Sequence, residues 1–409
     1  MKNILITNVF GAANKGDQAL FIALCDAIKV ANPGIQLKIS AIASFPSINK
    51  VQFPEVNFYG YPWRPSRNRS KIRYFRSFIK SFLLVLDIFQ AKISGRPISN
   101  FLNLYNNADI VIACPGGYLE DSNLSYYTHL LQLIFAICLG KRLLLAPQSV
   151  GPLRDPLAKS ILRFILLHSE AVFLRERYSY DFCIDILETS KSTSTSTSTS
   201  TNIFLSSDLV LLDFQLFLDK KAPLSSTRVN KNTPRSIGLT VVGWNFYGNK
   251  TKLQTYITEL RNTIRILIEK GNYVYILPQT VSDFEKSIVN EITFNLDVNV
   301  LPQPPDLRSY IDYYDLIDVI IGCRLHSCLL GIAKGVPAIS ISYLPKCSYI
   351  MEDLGLNQYV LPIDSFKSSS ILSILNNSSL YDDYLKTFNS TLPNLSFKYF
   401  SSFIKCLKA

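Results

Sequence analysis

No two of the eight cysteines (25, 114, 138, 183, 323, 328, 347 and 406) form a CxxC pair, and most lie inside apolar segments, where a reduced thiol acts as a small hydrophobe. Neither a disulfide framework nor a zinc site is expected. No apolar run approaches the ~20 residues a spanning helix needs. The longest, "LLQLIFAICLG" and "SFLLVLDIF", fall well short, so no transmembrane segment is expected. The opening "MKNILITNVFGA" alternates apolar and polar residues as a first strand does, and no small-residue cleavage site follows it. A cytoplasmic protein is the expectation. Acidic residues are absent from Arg64 to Lys80, "RPSRNRSKIRYFRSFIK", which carries seven basic ones and much of the net charge of +11. Nucleic acid, an anionic membrane surface and an anionic small substrate are the partner classes that charge admits. Mixed charge elsewhere and the lack of a recognised module argue against nucleic acid.

What is present is a globular chain of 409 residues, 48% hydrophobic, long enough for two cores. Strand-like apolar runs alternate with helix-periodic segments almost throughout, which predicts α/β architecture with parallel sheets. Strands are expected at "KNILITNVF", "QLKISAIAS", "ADIVIAC", "KRLLLAPQS", "AVFLRE" and "NIFLSSDLVLL", with helices between them such as Asp17 to Ala31 and Pro156 to His168. A polar bridge, Lys220 to Arg235, rich in Ser, Thr, Asn and Pro, then precedes a second cycle: "SIGLTVVGW", "YVYILPQ", "NVLPQ", "DVIIGC" and "VPAISISY" with helices between. The predicted organisation is two Rossmann-like domains, 1–219 and 236–409, joined by a linker at 220–235, their parallel sheets facing across a cleft. The repeat "STSTSTSTST" within 191–202 has no apolar residue to bury and is expected to be a flexible insert.

Unusual residues collect where the apolar runs stop. "GAANKGDQAL" (Gly11 to Leu20) follows the first strand and opens the first helix, where backbone N–H groups favour anions or hydroxyl-rich ligands. It lacks the GxGxxG fingerprint, and Asp17 is equally readable as a helix cap. Gly116 and Gly117 in "CPGGYLED" permit close backbone approach to a ligand, or form a plain tight turn. "APQSVGPL" puts Gln148 and Ser149 at another strand end, and Arg175 leaves a strand in "FLRERYSYD". The strongest stretch is "GCRLHSCLLGIAKGVP", Gly322 to Pro337. Arg324 and His326 flank Leu325 at a strand-to-helix turn, so both polar heads can share one side while the leucine turns inward. A guanidinium fork suits carboxylate or phosphate, and an imidazole titrates near neutrality and can pass a proton.

Taken together, "NKGDQAL", "PGGYLED", "QSVGP", "RERYS" and "RLHSCLLGIAKGVPAISISYLPK" resemble the polysaccharide pyruvyl transferase family over nearly the whole chain. Pro115 stands where that family usually has a first glycine of three, and Glu176 where an aspartate usually follows the arginine. The resemblance implies a GT-B-like fold and transfer of the enolpyruvyl unit of phosphoenolpyruvate to sugar hydroxyls, leaving a pyruvate ketal and phosphate. It implies donor binding chiefly on the C-terminal domain, by Arg324 and His326, with Lys346 of that domain and Arg175 of the N-terminal one positioned by motif to help. The acceptor is expected on the N-terminal side, at Asn14, Gly16, Asp17, Gly116, Gly117 and Gln148. His326 is the expected acid and Asp17 a candidate base. No metal or cofactor is expected, phosphoenolpyruvate entering as a substrate. A lipid-linked or cell-envelope saccharide would be the acceptor. The basic residues of Arg64–Lys80 beside Ile72, Phe75, Ile79 and Phe82 would then dock the protein peripherally on a membrane, or pack as a solvated basic helix on the core. Two alternatives stand beside this: a nucleotide-sugar glycosyltransferase of the same fold, and a non-catalytic membrane- or glycan-binding scaffold.

Overall fold

The computed structural model describes residues 1–11, 13–61, 71–121, 125–188, 202–212, 234–243, 249–280, 282–377 and 379–408, with the backbone alone at 71–78, 81 and 125. The Ser/Thr insert up to Thr201, the bridge from Lys220 to Thr233 and the basic residues from Arg64 to Arg69 lie outside the described residues.

One sheet is built from β1 (Lys2–Val9), β2 (Leu37–Ala43), β3 (Asn57–Gly60), β4 (Ile110–Ala113), β5 (Gly116–Leu119), β6 (Arg142–Val150), β7 (Ala171–Leu174) and β8 (Ile203–Leu205). Its order is β3-β2-β1-β4-β6-β7-β8, with β5 also paired to β6, and every pairing is parallel. The second sheet is built from β9 (Ser236–Thr240), β10 (Tyr273–Ile276), β11 (Asn299–Val300), β12 (Val319–Gly322), β13 (Ala338–Ser342) and β14 (Val360–Pro362). It runs β11-β10-β9-β12-β13-β14, again all parallel. Both orders reverse direction beside the first strand of the sheet. The crevice beyond the carboxyl ends of β1 and β4 in one sheet, and of β9 and β12 in the other, is therefore where such sheets take ligands. The fold class is thus two Rossmann-like α/β domains, as the alternation of runs implied.

Strands buried on both faces explain why the runs are continuously apolar: all four residues of β4, of β7 and of β12 are buried. Helices are started by local chemistry. Asp155 accepts a hydrogen bond from the Leu157 N–H at 2.9 Å and Pro156 follows it, so the helix Pro156–His168 begins where the sequence places it. One local expectation changes. The run "NIFLSSDLVLL" is not one strand: β8 ends at Leu205, and Leu209–Leu212 is a helical turn buried on all sides. A short apolar run carries no period that separates the two.

By contacts the chain forms two compact units, one comprising 1–12, 20–209 and 401–409, the other 13–19 and 210–400. This differs from division at a single linker. The C-terminal segment joins the first unit because Phe403 is fully buried there, its ring 5.1 Å from that of Phe173, while the Asn32 amide donates to the Leu407 carbonyl at 3.1 Å. Residues 13–19, the first turn of the helix Lys15–Ala31, belong with the second unit. All eight cysteines are unpaired thiols and six are buried. No helix among the described residues is long and apolar enough to cross a membrane.

Candidate functional site

In the second unit, Arg324 closes β12 and caps the helix Leu325–Ala333, of which His326 is the second residue. Leu325 is buried between them, while Arg324 and His326 both keep partial access to solvent. Both side chains therefore keep partial exposure at the carboxyl end of β12, beside the switch point of this sheet. The N-terminus of that helix adds a partial positive charge to the same place.

The 13–19 segment is tied to this corner by the main chain. Asn14 forms an antiparallel bridge with Thr280, and the Lys15 N–H donates to the Gln279 carbonyl at 3.1 Å. Asn14 then organises its own turn. Its side-chain oxygen accepts from the Gly16 N–H at 3.0 Å and from the Gln279 amide at 3.3 Å, while its amide donates to the Asp17 carboxylate at 3.0 Å. Gly16 is a steric requirement: a Cβ there would lie 2.6 Å from His326 Cβ and 2.7 Å from its Cγ and Nδ1. The imidazole packs on bare backbone.

Asp17 lies within electrostatic reach of His326, Arg324 and Lys346. Burial pushes its carboxyl above the ordinary range, and that effect exceeds the opposing pull of His326, Arg324, Lys346 and the Asn14 amide. Lys15, passed over in the sequence, is 3% exposed in the same turn; its ammonium donates to Gln18 at 3.2 Å, and burial lowers its pKa against the pull of Asp306.

Arg324 has a partner that sequence reasoning missed. Its Nη2 pairs with Glu285 Oε1, and the same carboxylate accepts from the Thr280 hydroxyl and from the Gly243 N–H, the latter at 2.8 Å. Burial works to lower the Arg324 pKa, but Glu285, with Tyr343 and Asp17, raises it on balance, so the guanidinium stays charged. A signal existed: Ser282-x-x-Glu285 has the capping-box pattern, and the Ser282 hydroxyl accepts from the Glu285 N–H at 3.4 Å. That pattern directs a carboxylate back to its own helix end, whereas here it reaches Arg324. Gly243 allows this, since a Cβ there would lie 2.7 Å from Glu285 Cγ.

The remaining expected residues lie in the first unit. Gly116 sits opposite Gln148 in the β5–β6 register, next to Gly117. Gln148 is fully buried, its amide donates to the Cys114 carbonyl at 2.6 Å, and its Oε1 has no partner among the described residues. Arg175 is 2% exposed. It donates to the Ser149 hydroxyl at 2.6 Å and to Asp208 at 2.9 Å, with Glu176 at 3.5 Å, so two carboxylates meet its charge inside this unit. Arg175 is thus not brought together with Arg324, His326 and Lys346 within one unit. Nearby, Asn8 takes the left-handed conformation (φ 61°) and accepts from His129 Nδ1 at 3.1 Å. Burial drops the His129 pKa to about 4, so the ring is neutral near pH 7. Phe10 stacks on it at 5.6 Å. No group of three His, Cys, Asp or Glu among the described residues converges as a metal ion would require.

Solved structures with this arrangement include S. aureus MnaA in complex with UDP (TM-score 0.57, 11% identity, covering 94% of this chain and 91% of that one). UDP-GlcNAc 2-epimerase from Neisseria meningitidis bound to UDP-GlcNAc is also similar (0.56, 12%, 99% of each chain). So is HepE of Anabaena in complex with UDP and glucose (0.55, 9%, 99% and 97%). At these identities the likeness concerns the fold, which is of the GT-B type. The family profile described as polysaccharide pyruvyl transferase, by contrast, matches residues 14–345. That span covers most of the chain, beginning at Asn14, running through the RLH stretch and ending at Pro345, one residue before Lys346, and the chain belongs to the polysaccharide pyruvyl transferase family.

Proposed function

We propose that this enzyme transfers the pyruvyl group of phosphoenolpyruvate to two hydroxyls of a cell-surface saccharide or its lipid-linked precursor, forming a ketal. The observation that carries the reading is the convergence of Arg324, His326 and Lys346 on one partly open corner with the carboxylate of Asp17 among them. Phosphoenolpyruvate has a carboxylate and a phosphate, and a sheltered group of cations suits both.

In this reading Arg324 and Lys346 hold the anionic groups, and His326, facing them from the first helical turn, supplies a proton. Protonation of the vinyl CH2 makes it a methyl and leaves a cationic C2. One sugar hydroxyl adds to C2 and gives up its proton. The C2–O bond to phosphate then breaks, phosphate departs, and the second hydroxyl closes the ketal as it loses its own proton. Of the two hydroxyl protons, one balances the proton delivered to carbon and the other leaves with phosphate. Asp17, whose carboxyl burial holds above the ordinary carboxylate range, would be the base for these hydroxyls. Arg175, met by Asp208 and Glu176, is given an organising role in the first unit, where Gly116, Gly117 and Gln148 would contact the acceptor. A peripheral membrane contact through the basic segment Arg64–Lys80 belongs to the same reading.

The test is incubation of purified protein with phosphoenolpyruvate and a panel of lipid-linked and synthetic glycosides, reading phosphate release and the mass added to the sugar. Release coupled to a gain of pyruvate less water supports the proposal. Turnover of a sugar nucleotide, with none of phosphoenolpyruvate across the panel, assigns the chain to glycosyl transfer instead. The presence of UDP in the neighbouring structures makes that the second reading.

A further inference from the structure

The helix Lys71–Ser94 is apolar on two opposite sides. Leu84, Ile88 and Ala91 are buried against the first unit. Ile79, Phe82, Leu86, Phe89 and Ile93 recur at steps of three and four on the other side, and all are exposed, Phe89 by 62% and Ile93 by 89%. A helix that is apolar all round is ordinarily enclosed, so this outer stripe is a surface built to be covered.

Charge decides what covers it. The helix carries five basic residues (Lys71, Arg73, Arg76, Lys80 and Lys92) and one acid, Asp87. That acid is turned inward: it accepts from the Ile98 and Ser99 N–H groups at 2.6 and 2.8 Å and is 8% exposed. Lys80 and Lys92 are exposed near the two ends of the stripe. Two copies paired through this face would set cationic helices side by side with no acid of the helix itself exposed to offset them. An anionic lipid surface offers apolar depth for the stripe and negative charge for its flanks.

We propose that the Ile79–Ile93 face is a docking surface for an anionic membrane, the helix lying in the plane of the interface with Phe82 and Phe89 inserted. The face extends beyond the Arg64–Lys80 segment and centres the contact on the last four turns of the helix. It stands independently of the pyruvyl chemistry.

The test is co-sedimentation of the full chain with phosphatidylcholine vesicles, with and without a minority of phosphatidylglycerol. The wild type should pellet with the anionic vesicles, weakly with neutral ones, and less in high salt. F82S/F89S should lower the partition at least ~10-fold, because both rings lose their apolar seat. K80E/K92E should weaken binding to anionic vesicles only. All four positions are exposed, so melting curves should match the wild type and separate lost binding from lost fold. Equal binding to neutral vesicles, or unchanged binding of F82S/F89S, overturns the proposal. A wild-type dimer that F82S/F89S splits, without vesicle binding, gives the face to a second copy and overturns it as well.

Discussion

Replacing Gly16 with alanine tests the site through one atom. The new Cβ would lie 2.6 Å from His326 Cβ and 2.7 Å from Cγ and Nδ1. Since such atoms settle at ~3.5 Å or more, the imidazole or the helix turn must retreat by about 0.9 Å. Two effects on stability oppose each other. Alanine in a helix gains about 1 kcal/mol over glycine, while overpacking of this kind costs about 1–3 kcal/mol. Net destabilisation should therefore stay within roughly 2 kcal/mol. With His326 in its proposed role as proton donor, catalysis has no such offset: a shift near 1 Å in such a group costs on the order of 100-fold in rate, equivalent to about 2.7 kcal/mol of barrier. Initial rates of phosphate release from phosphoenolpyruvate with acceptor, set beside urea unfolding, should show G16A losing most of its turnover and little of its stability. The double variant G16A/H326A has no ring to displace. It should be no slower than H326A alone, but the overlap with the Cβ at position 326 remains, so it should recover only part of the stability that G16A loses, a non-additivity of the kind expected for touching residues. G16A with turnover within twofold of wild type, or a double variant whose rate losses add, would refute the packing argument.

Three further outcomes follow from the same contacts. E285Q keeps the shape but removes the charge facing Arg324; it should cost about 1–3 kcal/mol by urea unfolding and raise the KM for phosphoenolpyruvate as the guanidinium loses its anchor. D208A leaves the buried Arg175 guanidinium with Glu176 as its remaining carboxylate and should cost about 3–5 kcal/mol by urea unfolding, and R175M, which strands both buried carboxylates, should cost at least as much. His129 has a folded pKa of about 4, below its unfolded value of 6.5, so its contribution is fully present above pH 6.5 and is lost as pH falls toward 4. The loss amounts to about 3 kcal/mol, and H129Q should flatten that part of the stability profile, whereas an unchanged slope would show that the ring is not neutral and buried.

Much of this was legible locally. A run such as "DVII" announces a strand buried on both faces, and Asp155-Pro156 announces a helix start, because both depend on neighbours within a few residues. The RLH turn was legible for the same reason: two polar residues flanking a leucine at a strand end have few ways to sit. Glu285 was half legible, since its spacing from Ser282 says capping box, but nothing local says that the carboxylate leaves its own helix. Arg175 was read from its strand end alone, and the carboxylate of Asp208, 33 residues away, could not be seen from there. The outer stripe of the Lys71–Ser94 helix was read in part, because periodicity reports that a face is apolar and not whether anything covers it.

The sequence by itself determined the alternation of strands and helices, the two-domain α/β class and the motif residues, since each rests on short-range periodicity and backbone chemistry. Only the tertiary structure decided that Gly16 lies under His326, that Glu285 meets Arg324, and that residues 13–19 join the unit built by 210–400. Those contacts join residues far apart in the chain. Parallel crossovers deliver strand ends to one edge of a sheet, and which side chains meet there is set by strand order and register rather than by spacing along the chain.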